Sequence, residues 1–266
     1  MMPTQQATAA PDRERGQTAG VYVYGIVPAD VQPEEHAPAV GDPPSDVSTV
    51  RHGEIAALVS EISVDRPLGT PDDLTAHAKL LDGSAAVTPV LPLRFGAVMS
   101  DPDAVEKELL EAHYDEFHAA LEELEGRAQF VIKGRYVEKA ILRELVNENS
   151  EAARLREEIH DKPEDATRDA RMVLGEIINQ AIEAKRAEDT HRVTAALDAL
   201  EPLVSERNPT HEEDAVHVAV LIEMSRQGEL EEALGRLAEE WDGRVEISLL
   251  GPMAAYDFVM KREPAG

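Results

Sequence analysis

The sequence contains no cysteine and has few basic residues. Without cysteine the chain forms no disulfide bond, carries out no thiolate chemistry and builds no Cys-ligated zinc or iron–sulfur site. The chain has 26 Lys and Arg residues but 53 Asp and Glu residues, which gives a formal net charge of −27. Because nucleic acids and anionic membranes are bound by clustered Lys and Arg, we expect neither as a partner.

Long apolar runs are also missing. Residues 1–19 hold no apolar core of the kind that a signal peptide needs, and we predict that they form a disordered leader. No window approaches the ~18 uninterrupted apolar residues of a membrane span. Together with the lack of cysteine, this pattern favours a cytoplasmic protein.

Motifs for cofactor binding and catalysis are absent as well. The sequence has no phosphate-binding loop, no dinucleotide-type glycine fingerprint and no nucleophile elbow. His113 and His118 are too far apart to share a helix face, because metal-binding pairs on a helix favour spacings of three or four residues. We therefore expect no cofactor, no metal site and no enzymatic activity.

Residues 20–126 are predicted to form an N-terminal α+β domain. β-Branched and aromatic runs predict three strands, at VYVYGIV (21–27), GEIAALVSEI (53–62) and VTPVLPLRF (87–95). The two prolines of the third run favour an edge strand or irregular pairing. Thr70 and Pro71 are typical of a helix start, and so is Ser100-Asp101-Pro102, which opens a helix expected to reach about Leu124.

After residue 126 the predicted order is β, a helical insertion, β, β, α, β. The insertion covers about 138–200, and its short break at HDKPED (160–165) favours an antiparallel helical hairpin. This order is that of a ferredoxin-like, split βαβ domain whose first helix is replaced by the hairpin. The sequence thus predicts a two-domain α+β fold, with the ferredoxin-like domain over 127–251 and a C-terminal tail over 252–266.

The first strand carries the first group of candidate residues. By strict alternation, Tyr22 and Tyr24 share one face of the strand, while Gly25 lies with the valines on the other. We expect the tyrosine face to be exposed, so that both rings are candidates for a partner contact or for a structural motif.

Arg94 is the single arginine in the mostly apolar stretch VLPLRFGAVMSD (90–101), which Ser100 and Asp101 close. It is followed by Phe95 and Gly96, which mark a glycine turn. Read alone, such an arginine is a structural strut that pairs with a carboxylate or with carbonyls left free where prolines interrupt a strand. A contact to a partner is the second interpretation, and ligand chemistry is the third.

The segment YDFVM (256–260) follows the last strand that the second domain needs. Its Tyr256 and Phe258 are expected to be buried somewhere. We favour a tail packed on its own domain, and the alternative is a tail that returns to bridge the two domains or to meet a partner.

Three stretches taken in order, YVYGIV (22–27), LPLRFGAV (91–98) and LGPMAAYDFV (250–259), resemble the gas vesicle protein GvpF/GvpL family. The resemblance extends from about Val21 to Val259. One departure is MAAY (253–256), where the family often has a proline-rich turn before the aromatic residue.

The resemblance implies an accessory protein of gas vesicles, the gas-filled protein shells that give cells buoyancy. It implies a role in shell assembly or nucleation, no enzymatic activity, and association with the small hydrophobic shell protein GvpA and other gas vesicle accessory proteins. We place the shell-protein contact on the N-terminal domain. Two alternatives stay open: a ligand-binding regulatory module on the ferredoxin-like fold, and an enzyme that uses Arg94 with a nearby carboxylate.

Overall fold

The long apolar run VYVYGIV forms the centre of the first of two antiparallel sheets. The computed structural model describes residues 19–63, 65 and 67–259. Residues 1–18 of the predicted leader therefore lie outside the described residues. The strands are β1 (Ala19–Pro28), β2 (Ser48–His52), β3 (Ile55–Ser63), β4 (Leu91–Pro92), β5 (Val98–Met99), β6 (Arg127–Tyr136), β7 (Leu203–Glu206), β8 (Asp214–Glu223) and β9 (Val245–Met253). The two sheets lie on either side of residue 126.

The helices alternate with these strands and dominate the second half of the chain. They are α1 (Pro71–Ala85), α2 (Pro102–Ala104), α3 (Tyr114–Leu124), α4 (Glu138–Glu148), α5 (Ser150–Ile159), α6 (Glu164–Ala196), α7 (Gln227–Glu240) and α8 (Tyr256–Val259), with a π-helical stretch at Val105–Glu111. No helix in the described part of the chain is both long enough and apolar enough to cross a membrane.

In the first sheet the strand order is β2-β3-β1-β4, and β5 also pairs with β1. Helix α1 covers one face, whose core includes Leu81. The π-helical stretch and α3 cover the other, whose core includes Leu110 and Leu121. Strand β1 is therefore buried on both faces, which explains why its sequence is almost continuously apolar.

Two predicted helix starts are confirmed. Thr70 accepts a hydrogen bond from the backbone N–H of Asp73, whose side chain reaches back to Thr70, and Pro71 occupies the first helical position. Asp101 caps the next helix by accepting from Ala104 N at 2.8 Å. The expected continuous helix to Leu124 was wrong in detail, because a π-helical stretch follows the three residues of α2 and a short turn separates that stretch from α3.

The second sheet has the order β7-β8-β6-β9, and all of its neighbours are antiparallel. This is the order of a ferredoxin-like domain, so the prediction is confirmed. The helical insertion is a hairpin of α5 against α6, but its first arm breaks at Asn149, whose side chain caps α5 by accepting from two backbone N–H groups.

A partly buried ion cluster fastens the helical insertion to this sheet. Arg244 donates to Glu144 at 2.7 Å and to Asp189 at 3.0 Å, and Tyr136 donates its hydroxyl to Asp189 at 2.8 Å. Asp189 is only 1% exposed, and these donors satisfy its carboxylate oxygens in the interior. Burial and the Asp189 charge raise the pKa of Tyr136, which therefore stays a neutral donor.

Candidate functional site

Tyr22 and Tyr24 lie in a buried aromatic cluster. Both side chains are 0% exposed because α1 covers their face of the sheet, so the expectation of an exposed tyrosine face was wrong. The two rings meet edge to face at 4.8 Å between centroids, and His77 and Phe95 pack against Tyr22 at 5.7 and 5.8 Å. These tyrosines stabilise the domain from inside and are not available to a partner.

The two tyrosine hydroxyls make hydrogen bonds that fix the surrounding loops. Gly96 donates its backbone N–H to Tyr22 Oη at 3.1 Å, and the same oxygen lies 2.9 Å from His77 Nδ1. Tyr24 Oη accepts from Val40 N at 2.7 Å. Burial raises the pKa of Tyr22 to about 12 and lowers the pKa of His77. The Tyr22 hydroxyl therefore donates its hydrogen bond to a neutral imidazole.

Arg94 is exposed at the turn between β4 and β5, and its side chain makes no ion pair or hydrogen bond with any described residue. The turn is closed by Ala97 N donating to Arg94 O at 3.3 Å. Gly96 has φ +91°, as the third residue of a type II turn requires. The interpretation of Arg94 as a strut was therefore wrong, since a guanidinium in solvent holds nothing in place.

Gly25 allows a close approach between β1 and its neighbours. A Cβ at this position would lie 2.6 Å from the carbonyl oxygen of Leu91 and 2.9 Å from a methyl group of Leu81. The pairing register of β1 with β3 shifts between Val23 and Gly25. The side-chain direction of Gly25 therefore points toward α1, the side of the tyrosines, so the expectation that it lies with the valines was wrong, and the glycine is needed for the close packing of β1 against β4 and α1.

The C-terminal segment bridges the two domains, which was the less favoured of the two interpretations. Ala254 donates its N–H to Asp82 of α1 at 3.1 Å. Asp257 accepts from Arg207 at 3.0 Å and from Gln129 of β6 at 2.6 Å. The short stretch from Ala254 to Asp257 therefore makes polar contacts to both domains.

Tyr256 and Phe258 point to different parts of the N-terminal domain. Tyr256 packs against the cluster around Tyr22 and Tyr24, whereas Phe258 packs against the core on the opposite face of the sheet. The Tyr256 hydroxyl is buried and faces the Asp82 carboxylate. Burial and the nearby Asp82 carboxylate raise the pKa of Tyr256, which keeps its ring neutral.

Where the two domains and this tail meet, the surface opens into a groove of about 640 Å³, called here the interdomain groove. Its lining residues come from β4 and α3 with the residues that follow them, from β6, β7 and β8 of the second sheet, and from α8: Leu91, Pro92, Leu93, Glu116, Phe117, Ala120, Glu122, Glu123, Leu124, Glu125, Arg127, Leu203, Leu221, Glu223, Phe258 and Val259. Most of the apolar lining belongs to the N-terminal domain.

The floor of the groove is apolar and partly open to solvent. Leu91 and Leu221 form its buried base, while Leu93 and Phe117 are half-buried and Leu203 is 51% exposed. Leu203 lies on β7, the edge strand of the second sheet, directly opposite Leu221 in the pairing register. Glutamates surround this floor, and Arg127 is the basic residue among the lining.

Sequence reasoning missed this groove. Its lining residues are distributed from position 91 to position 259, and no local pattern marks them as one surface. Two signals pointed toward it: the prolines that make β4 short, and the apolar segment after the last strand. Within the described residues, no group of three or more His, Asp or Glu is arranged to hold a metal ion.

Comparisons with known proteins give a consistent result. A family model described as gas vesicle synthesis protein GvpL/GvpF matches residues 20–260. Gas vesicle protein F of Streptomyces sp. (strain CB03234) is 29% identical over 243 residues, covering 90% of this chain and 98% of that protein. Gas vesicle protein L of the same strain is 27% identical over 260 residues, covering 89% and 91%.

The fold is shared with solved structures. The crystal structure of GvpF from Anabaena sp. PCC7120 superposes with a TM-score of 0.75 at 22% identity, covering 91% of this chain and 98% of that one. GvpF from Microcystis aeruginosa gives a TM-score of 0.69 at 19% identity, covering 90% and 98%. At these identities the structural match shows a common two-sheet architecture.

Proposed function

Because this chain belongs to the gas vesicle synthesis protein GvpL/GvpF family, we propose that it acts in gas vesicle assembly or nucleation by binding the hydrophobic shell protein GvpA. The family membership confirms the resemblance carried by the three sequence stretches. The contact is placed on the N-terminal domain, at the interdomain groove. The proposed activity is binding without catalysis, in the cytoplasm and at the growing gas vesicle.

The observation that carries this proposal is an apolar floor left open on a strongly acidic protein. A small hydrophobic shell subunit exposes apolar surface that aggregates unless it is covered. The interdomain groove offers apolar residues such as Leu203 and Phe117, while the net charge of −27 keeps the outside of a complex hydrated. Other gas vesicle accessory proteins are further proposed partners, because assembly requires several components to meet at one shell.

Filling the groove with a bulky side chain tests the proposal. Ala120 lines the groove and is half-buried, whereas the next residue toward the N-terminus, Ala119, is exposed and lies outside it. The Ala120→Trp variant of the full chain is expected to weaken binding of purified, affinity-tagged GvpA by at least about tenfold. The Ala119→Trp variant adds the same side chain to the same helix and is expected to bind as the unaltered chain does.

Thermal unfolding of both variants is measured first, so that misfolding is excluded as the cause of any loss of binding. If the unaltered chain fails to retain GvpA, the proposed function is wrong. If Ala120→Trp retains GvpA as well as Ala119→Trp does, the function stands but its placement in the groove is wrong.

A further inference from the structure

We propose that the interdomain groove selects a partner segment in which apolar residues are flanked by lysine or arginine. This inference rests on the proposed function for the identity of the partner, and on the charges around the groove for the chemistry of the segment.

The charge distribution around the floor is one-sided. Five glutamates line the groove against one arginine, Arg127. All five carboxylate side chains belong to exposed residues, so they surround the apolar floor without covering it. Carboxylates held around one concave surface repel one another and raise the negative potential inside it.

Imidazoles lie beside two of the five glutamates, and Glu123 also has an interaction partner. Glu116 lies 3.7 Å from the imidazole of His113, just before α3, and Glu122 lies 3.8 Å from that of His118 within α3. Glu125 makes no ion pair with any described residue. An incoming ammonium or guanidinium group would therefore gain attraction from several carboxylates at once.

The same charges disfavour other occupants. A second copy of this chain carries the same net charge of −27 and the same glutamates, so like charges would face each other across the contact. A segment with acidic flanks would meet the same repulsion. A wholly apolar segment would fill the floor but leave the surrounding carboxylates partly desolvated without a partner, which costs free energy.

Two charge-reversal variants of the full chain test the inference. The groove variant carries Glu122→Lys, Glu125→Lys and Glu223→Lys, all at residues that line the groove. The control variant carries Glu157→Lys, Glu176→Lys and Glu232→Lys, all at exposed helix positions outside it. Both variants change the net charge by the same amount, so a bulk charge effect acts on them equally.

Two kinds of probe are used with each variant. The first is affinity-tagged GvpA, and the second is a pair of synthetic apolar peptides, one with lysines at both ends and the other with glutamates. The unaltered chain and the control variant are expected to bind the lysine peptide at least about tenfold more tightly than the glutamate peptide, with an affinity that falls as salt rises. The groove variant is expected to lose or reverse that preference.

The outcomes separate the two proposals. If the unaltered chain binds both peptides equally, or if the two variants lose the lysine peptide to the same extent, the inference is wrong. If GvpA binds and the groove variant binds it as well as the control does, the inference is wrong and the proposed function stands. If the lysine peptide behaves as expected while GvpA does not bind, the groove chemistry stands and the proposed function is wrong.

Discussion

Arg207 and Asp257 join the loop after β7 to the C-terminal helix, with Arg207 Nε 3.0 Å from Asp257 Oδ1. Gln129, a fully buried residue of β6, donates to the other carboxylate oxygen at 2.6 Å and accepts from the backbone N–H of Asp257 at 3.0 Å. These bonds fix the start of α8. They thereby place Phe258 and Val259 at one end of the interdomain groove.

Removing the Asp257 carboxylate should loosen this junction. Asp257→Ala leaves the guanidinium of Arg207 and the buried amide of Gln129 without their acceptor, and we expect the free energy of unfolding to fall by about 1–3 kcal/mol. Glu158→Ala is the matched control, because Glu158 pairs with Arg154 at 3.0 Å between two exposed side chains. Its cost should stay below about 1 kcal/mol. If urea unfolding shows the same loss of stability in both variants, the stabilising role of this junction is wrong.

The position of the C-terminal tail could be predicted from the sequence only in part. The apolar residues of YDFV indicated burial, but only the three-dimensional arrangement of Asp82, Arg207 and Gln129 decides what the tail is buried against. Strand β1 shows a second limit. Alternation placed Tyr22 and Tyr24 on an exposed face, whereas helices cover both faces of that sheet. A near-continuous apolar run is typical of a strand buried on both faces, and it predicted the burial of β1 better than the alternation of its side chains did.

Local signals were more informative. Thr70, Pro71 and Asp101 marked helix starts because capping depends on residues three positions apart. The strand and helix order after residue 126 identified the ferredoxin-like domain, since that topology follows from element order. The groove had no comparable signal, because its residues come together only when both domains and the tail are in place.

The stability of the N-terminal domain should depend on the ionisation of His77. Burial lowers the pKa of His77 below its ordinary value of 6.5, so the unfolded chain takes up a proton at a higher pH than the folded chain does. The stabilising contribution is therefore complete above about pH 6.5 and declines as the pH falls below it, by up to about 1.4 kcal/mol per pH unit. Urea unfolding between about pH 7.5 and about pH 5 measures this slope.

The His77→Gln variant supplies the comparison. Glutamine offers an amide to the Tyr22 hydroxyl but does not titrate, so the variant should be less stable near neutral pH and should lose part of the decline on acidification. An unchanged pH dependence in this variant would show that His77 is not the group responsible.

Two glycine-to-alanine substitutions should have opposite effects. At Gly25 the added methyl group would approach Leu91 O to 2.6 Å, and we expect the free energy of unfolding to fall by about 1–3 kcal/mol. At Gly83, in α1, the same group meets no atom within 4 Å, and better helix propensity should raise stability by up to about 1 kcal/mol. Thermal unfolding of the pair checks the signs. A neutral Gly25→Ala would mean that β4 moves away from β1 at little cost.

Arg94 is held at the surface by a turn that the interior fixes. Phe95 packs in the aromatic cluster, and Gly96 N is bonded to the Tyr22 hydroxyl, so the turn presents the guanidinium in a defined place immediately after Leu93 of the groove. Because the side chain itself has no partner among the described residues, Arg94→Met should change the free energy of unfolding by less than about 0.5 kcal/mol. Because Arg94 adds positive charge beside a groove proposed to take a segment with basic flanks, Arg94→Met should not weaken GvpA binding, and neither should Arg168→Met, at an exposed position of α6. Unfolding of the first domain by Arg94→Met would restore the structural role of Arg94. Weakened binding by a stable Arg94→Met variant would assign Arg94 to the contact surface and would contradict the proposed selection of basic flanks.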